Sequence, residues 1–251
     1  MKSLFKKELS AFFSSITGYI AVGVFLLVTG LVLWVFPGDF NIPDSGFAYL
    51  EPLFAIAPWI FLFLVPAVTM RLFSEEKKTG TLEVLFSQPV SDFKIVLAKY
   101  LAALVLVILS LLPTLIYFVC VYNLGLDGQS SDTGAELAGI DTGQTFGSYL
   151  GLFCLAAVYC AVGLFASSLT DNQIVAFLLA VGGCLFMYLG FGAISGFSSS
   201  YGLALDNLGI DAHYKSISRG IIDTRDIVYF VSAVAIFLML AKFKLQSRNW
   251  K

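Results

Sequence analysis

The stretch YLAALVLVILSLLPTLIYFVCVYNLGL, from Tyr100 to Leu126, carries no charged residue. A hydrocarbon layer about 30 Å thick is crossed by roughly 20 apolar residues in a helix, so this segment reads as a membrane span. Working outward, comparable runs recur: Ile16–Phe36, Pro52–Met70, Phe146–Leu169 and Ile174–Gly196. A sixth, Ile227–Ala241, is shorter, but Lys242 and Lys244 can snorkel while Phe243 and Leu245 stay in lipid. The composition agrees. Of 251 residues 58% are hydrophobic and 13% charged, about half the charged share of a soluble domain, and mean hydropathy is +0.87. The expected fold is an all-α polytopic membrane protein of six spans, forming one transmembrane domain over 1–251.

Charge placement sets the expected orientation. With six spans, one side holds Lys2, Lys6, Lys7, Arg71, Lys77, Lys78, Lys94, Lys99, Lys242, Lys244, Arg248 and Lys251; the other has only Lys215, Arg219 and Arg225. Both termini are therefore expected in the cytoplasm. Acidic residues lean the other way, with Asp127, Asp132, Glu136 and Asp141 in a loop lacking Lys and Arg. The first run is too long for a signal-peptide core and ends in Trp34-Val35-Phe36-Pro37, so it is expected to stay uncleaved. Before it, Phe5, Leu9, Phe12, Phe13 and Ile16 share one helical face, with Lys2, Lys6 and Ser10 elsewhere. That pattern suits a basic amphipathic helix over 1–15 lying in the membrane interface. It equally suits the charged start of one long first helix.

Several chemistries are disfavoured. Cys120, Cys154, Cys160 and Cys184 all lie in apolar runs without C-x-x-C spacing, as packed hydrophobes would. No ionisable residue falls in the core of a span, which speaks against an ion-coupled transporter. No G-x-x-x-x-G-K-[ST] motif occurs, so no P-loop ATP hydrolysis is expected on this chain. The single histidine, His213, lies in the 197–226 loop and reads as a surface imidazole without a special role. No catalytic residue, cofactor or metal site is expected. Gly147-x-x-x-Gly151 and Gly192-x-x-x-Gly196, with Gly182 and Gly183, suit close helix approach within the subunit or at a subunit seam. Pro58, Pro66 and Pro113 are expected to kink their helices.

The sizeable loop on the basic side runs Arg71-Leu72-Phe73-Ser74-Glu75-Glu76-Lys77-Lys78-Thr79-Gly80-Thr81-Leu82-Glu83-Val84-Leu85-Phe86 and continues past Pro89 to Lys94. Gly80 can end a helix, Thr81–Phe86 predicts a short helix, and Pro89 ends it. Ser91 suits the N-cap of the helix that leads through Lys99 into the third span. A short helix with Leu82, Leu85 and Phe86 on one side and Glu83 off it suits docking to a soluble partner. A solvated charged linker is the other reading of the same residues.

The E-x-x-x-G-T-L-E-x-L-x-x-x-P pattern of this loop closely resembles the cytoplasmic motif of ABC-2 type permeases. The stretches Ala57–Arg71, Asp171–Phe177 and His213–Gly220 further resemble a gliding-motility-associated subgroup of Bacteroidetes. The resemblance implies a non-catalytic permease subunit of the inner membrane, with loop 71–94 as the helix that couples to a separate ATPase. Its contact residues would be Glu75, Glu76, Gly80, Thr81, Leu82, Glu83, Leu85, Phe86 and Pro89, with Leu82 and Leu85 as apolar contacts and Glu83 as a polar one. ATP and Mg would belong to that cytoplasmic ATPase, in two copies. The resemblance also implies a companion membrane protein with a large periplasmic domain, and a link to gliding and its secretion apparatus. A second permease copy and membrane lipid complete the expected surroundings; nucleic acid does not. Loop 197–226 would form an outer gate or a partner contact through Tyr201, Asp206, His213, Lys215 and Arg219. Two other readings stand beside this: a structural anchor for a motility or secretion machine, and a self-sufficient secondary transporter, which the uncharged spans disfavour.

Overall fold

The computed structural model describes residues 2–45, 48–86, 91–129, 140–196, 206–221 and 223–247. Among these, every regular element is helical. In chain order they are α1 (Lys2–Ser14), α2 (Ile16–Trp34), α3 (Ile42–Ser45), α4 (Glu51–Thr69), α5 (Arg71–Lys78), α6 (Thr81–Phe86), α7 (Asp92–Leu111), α8 (Leu115–Gln129), α9 (Thr142–Leu169), α10 (Gln173–Leu185), α11 (Phe191–Ser195), α12 (Ile210–Ser218) and α13 (Thr224–Gln246). Five helical stretches are long and apolar enough to span a bilayer: 51–78, 92–125, 142–169, 173–195 and 224–246. A sixth arises when α1 and α2, bent by 62° at their junction, are counted together. The chain is therefore an all-helical protein of five to six apolar membrane-spanning helices.

α9 is the central helix. It packs against α4, α7, α10, α12 and α13, and 72% of its most apolar window is buried, against 22% for the 173–195 helix. Its composition explains this position. Gly147, Ser148, Gly151, Ala156, Ala161, Gly163, Ala166, Ser167 and Ser168 are small and buried, and small residues let helix backbones approach where lipid supplies no hydrophobic drive between helices. A Cβ placed on Gly163 would stand 2.0 Å from Thr69 Oγ1 on α4. Peripheral helices instead show large apolar side chains such as Ile174, Leu178, Val228 and Val231 to the surroundings, as lipid-facing surfaces do.

Helix ends follow local chemistry. Asp141 accepts from Gly143 N and Gln144 N, so α9 begins before the expected boundary at Phe146. Asp223 caps α13 through Arg225 N, and the helix runs on through Lys242 and Lys244. The last span is accordingly a 23-residue helix rather than a fifteen-residue run, because a snorkelling lysine does not end a helix. Pro113 breaks the third span, replacing α geometry by a 3-10 turn over Leu112–Thr114. The Thr114 carbonyl there accepts from Tyr149 OH at 2.9 Å. Pro58 and Pro66 lie inside α4, which continues through both.

α1 is a helix of its own, not the start of a straight first span. The chain turns at Ser15, and α1 packs along α7 with Leu4 and Phe12 toward the core, while Phe13 and Ile16 are exposed.

Candidate functional site

The basic end of the bundle gathers α1, α5, α6 and the start of α7. α4 and α5 join at Met70, and Ser167 of α9 holds the joint: its hydroxyl donates to Met70 O (2.8 Å) and accepts from Phe73 N (3.0 Å) and Ser74 N (3.1 Å). Lys77 Nζ donates to Ser168 O on the same helix. α5 then ends at Thr79, whose N–H reaches Glu75 O, and Gly80 adopts φ +72°. Such a left-handed residue is the usual glycine stop after a helix and is strained for any side chain with a Cβ. It turns the chain into α6.

α6 points its apolar side inward. Leu82 and Leu85 are each only 9% exposed and join the protein's own core. The apolar contact expected of them toward a partner is made here to the chain's own core: with neighbouring helices on hand, these side chains pack inward. The side chain of Phe86 and the whole of Pro89 lie outside the described residues. Among the described side chains of 75–83, those presented outward are polar or small: Glu75, Lys78, Thr79, Gly80, Thr81 and Glu83 are exposed, and the Thr79 and Thr81 hydroxyls lie 2.9 Å apart.

Glu76 turns inward. Its Oε1 lies 2.9 Å from Lys99 Nζ, which also lies 3.0 Å from Glu8 Oε1 and 5.3 Å from the centre of the Phe73 ring. Lys7 approaches the same Glu76 oxygen at 3.7 Å. Lys99 is 1% exposed, so its charge is held by two carboxylates and an aromatic face rather than by water. Sequence reasoning passed over this cluster, because Lys99 entered it only as one of the basic-side charges and Glu8 not at all. The available signal was Glu8 itself, the one acid among Lys2, Lys6 and Lys7.

The opposite end is built around α12. Ile210, Tyr214 and Ile217 are buried on its inner face, so the segment is an inserted wedge rather than a surface connector. Tyr214 OH donates to Phe54 O on α4 at 2.7 Å; burial pushes its phenol well above the usual range and keeps it a donor. A Cβ on Gly147 would stand 2.7 Å from Ile217 O, and one on Gly151 3.3 Å from the Tyr214 ring, so this glycine pair seats α12 on α9. Among the described residues, Gly192 and Gly196 meet no other helix this closely: a Cβ on Gly192 would find Asp206 Oδ1 at 3.5 Å, and one on Gly196 only its own turn.

His213 is no plain surface imidazole. Nδ1 lies 2.6 Å from Asp226 Oδ1, Nε2 lies 2.8 Å from Asn207 O, and the ring stacks on Tyr229 at 4.0 Å. Lys215 pairs with Asp211 at 2.6 Å, and Arg219 Nε donates to Lys215 O. Asp206 accepts through its backbone from Gly209 N, whereas Tyr201 lies outside the described residues.

The comparisons agree with an architecture of this kind. Residues 37–242, most of the chain and all of α3 to α12, match the family described as ABC-2 family transporter protein. No curated protein matches the chain significantly.

Proposed function

The chain belongs to the ABC-2 transporter family, as a membrane-embedded permease subunit whose family implies a cytoplasmic ABC ATPase partner, and from this premise we propose that its polar 75–83 surface is where the ATPase docks. The observation that carries the proposal is the way that surface is tied to the bundle. Its joint with α4 is stapled to the central helix by three hydrogen bonds of Ser167, and α6 is anchored by Leu82 and Leu85. A push on Thr81 or Glu83 is thereby passed to α9 and, through Glu76–Lys99, to α7 and α1. Nucleotide closure of two ATPase subunits would bias the packing of the whole bundle between two states. ATP and Mg are bound on the ATPase in this scheme.

The basic end then faces the cytoplasm, both termini lie there, and the protein sits in the bacterial inner membrane; the twelve-to-three distribution of Lys and Arg supports this orientation. The likeness of 171–177 and 213–220 to gliding-motility permeases supports a place in that machinery, beside a companion membrane protein with a periplasmic domain.

Co-purification from native membranes in mild detergent tests the docking surface. Changing Thr81 and Glu83 to lysine should leave the permease in the membrane and abolish recovery of the ATPase. Full recovery with normal nucleotide hydrolysis would overturn the assignment.

A further inference from the structure

At the end of the bundle away from α6, a cavity of about 510 Å³ opens between α4, α9, α12 and the π turn Phe186–Gly190. It combines two kinds of wall. One is aromatic: Phe54, Trp59, Tyr188 and Tyr214, with Trp59 and Tyr188 edge to face at 5.7 Å. The other is charged and carries both signs. Asp211, Lys215 and Arg219 follow one another at single-turn spacing along α12, and Glu51 stands at the start of α4. The anionic members are already oriented: Glu51 Oε1 accepts from Gln144 Nε2 at 3.0 Å, and Asp211 Oδ2 from Lys215 at 2.6 Å. Arg219 has one nitrogen engaged, through Nε, and is exposed. Next to the lining residues Tyr188, Tyr214 and Asp211, the fully buried Tyr159 hydroxyl of α9 has no hydrogen-bond partner among the described residues. The helix carrying Tyr188 widens into π geometry at the cavity, a distortion that costs regular bonding and recurs at functional sites.

Each feature narrows the ligand. The volume suits a small molecule or a headgroup, not a whole lipid. Two cations and two anions in one cavity match a group bearing both charges. The tryptophan and tyrosines mark the depth at which a bilayer's polar headgroups lie, and aromatic faces also attract an ammonium. We propose that this cavity binds the headgroup of a zwitterionic phospholipid of the phosphatidylethanolamine type. The phosphate would lie at Arg219 and Lys215, the ammonium at Glu51 and Asp211, and the glycerol and first acyl carbons against Trp59 and Leu189. The inference rests on reading the chain as a membrane-embedded permease and gives that permease a lipid ligand.

The test uses the permease–ATPase complex purified in detergent, delipidated, and mixed with phosphatidylethanolamine or phosphatidylglycerol, with bound lipid counted by native mass spectrometry. Phosphatidylethanolamine should be retained at least tenfold better than phosphatidylglycerol, which lacks the ammonium. Arg219→Gln and Glu51→Gln, both at exposed residues, should each lower its retention about tenfold, and soluble glycerophosphoethanolamine should displace it. Equal retention of both lipids, or retention unchanged in both variants, would mean annular lipid only and overturn the proposal. Binding of glycerophosphoethanolamine without retention of the lipid would overturn it too, making the ligand a soluble one. ATPase activity measured on the same samples separates the two readings. Hydrolysis stimulated by a permease that retains no phosphatidylethanolamine sinks only the cavity assignment; selective retention without any stimulation sinks the permease mechanism and leaves the cavity.

Discussion

Glu76 Oε1 stands 2.9 Å from Lys99 Nζ, inside the bundle and only seven residues before Glu83, which faces outward. The two glutamates thus divide one loop between two tasks. Glu83 belongs to the exposed surface proposed to meet the ATPase, and Glu76 ties that surface to α7. Through its second carboxylate, Glu8, Lys99 carries the tie on to α1.

Replacing Lys99 by methionine should destabilise the protein by about 3–5 kcal/mol, because two largely buried carboxylates lose their counter-charge. Adding Glu8→Gln and Glu76→Gln to that variant should recover much of the loss. Thermal unfolding of the three proteins in detergent checks this. A single variant as stable as the parent would show that the cluster carries no buried charge.

Gly163 and Gly182 make an internal control for helix approach. Gly163→Ala sets a methyl 2.0 Å from Thr69 Oγ1 and 2.9 Å from its Cβ, and should cost about 1–3 kcal/mol. Gly182→Ala meets nothing within 4 Å and should be neutral or stabilising by up to about 1 kcal/mol, since alanine favours a helix. Melting temperatures that moved together would contradict the packing described.

The spans were legible in sequence because uncharged runs of this length have few other uses, and the short helix after Gly80 was legible because glycine and proline bracket it. What escaped was the facing of that helix. Leu82 and Leu85 are apolar toward either a partner or the chain's own core, and periodicity cannot distinguish the two. Lys99 and His213 show a related limit: Lys99 is held by Glu8, 91 residues away, and His213 by Asp226 across a helix junction, 13 residues on. The glycine pairs show the same limit, since 147/151 and 192/196 share a spacing but, among the described residues, only the first pair has a helix seated on it.

His213 should act as a pin on the α12 wedge. Its ring bridges Asp226 on α13, 2.6 Å from Nδ1, and the Asn207 carbonyl ahead of α12, 2.8 Å from Nε2. Asp226 is 5% exposed, and charged hydrogen bonds of this type contribute about 1.5–3 kcal/mol. His213→Ala or Asp226→Ala should raise amide exchange across 206–218 by a corresponding tenfold or more while leaving 160–169 unchanged. Uniform exchange across both segments would mean that the pin does not act locally.

The central claim is that an ATPase sits on the polar face of the 75–83 segment. A photo-crosslinking amino acid introduced at Thr81 or Glu83 in native membranes tests it most directly, with Leu178 on the lipid-facing side and Arg219 at the far end as controls. Crosslinks to an ATPase subunit are expected from 81 and 83, altered in yield by nucleotide, and none from 178 or 219. An ATPase captured from position 219, or no ATPase captured from 81 and 83, would contradict it.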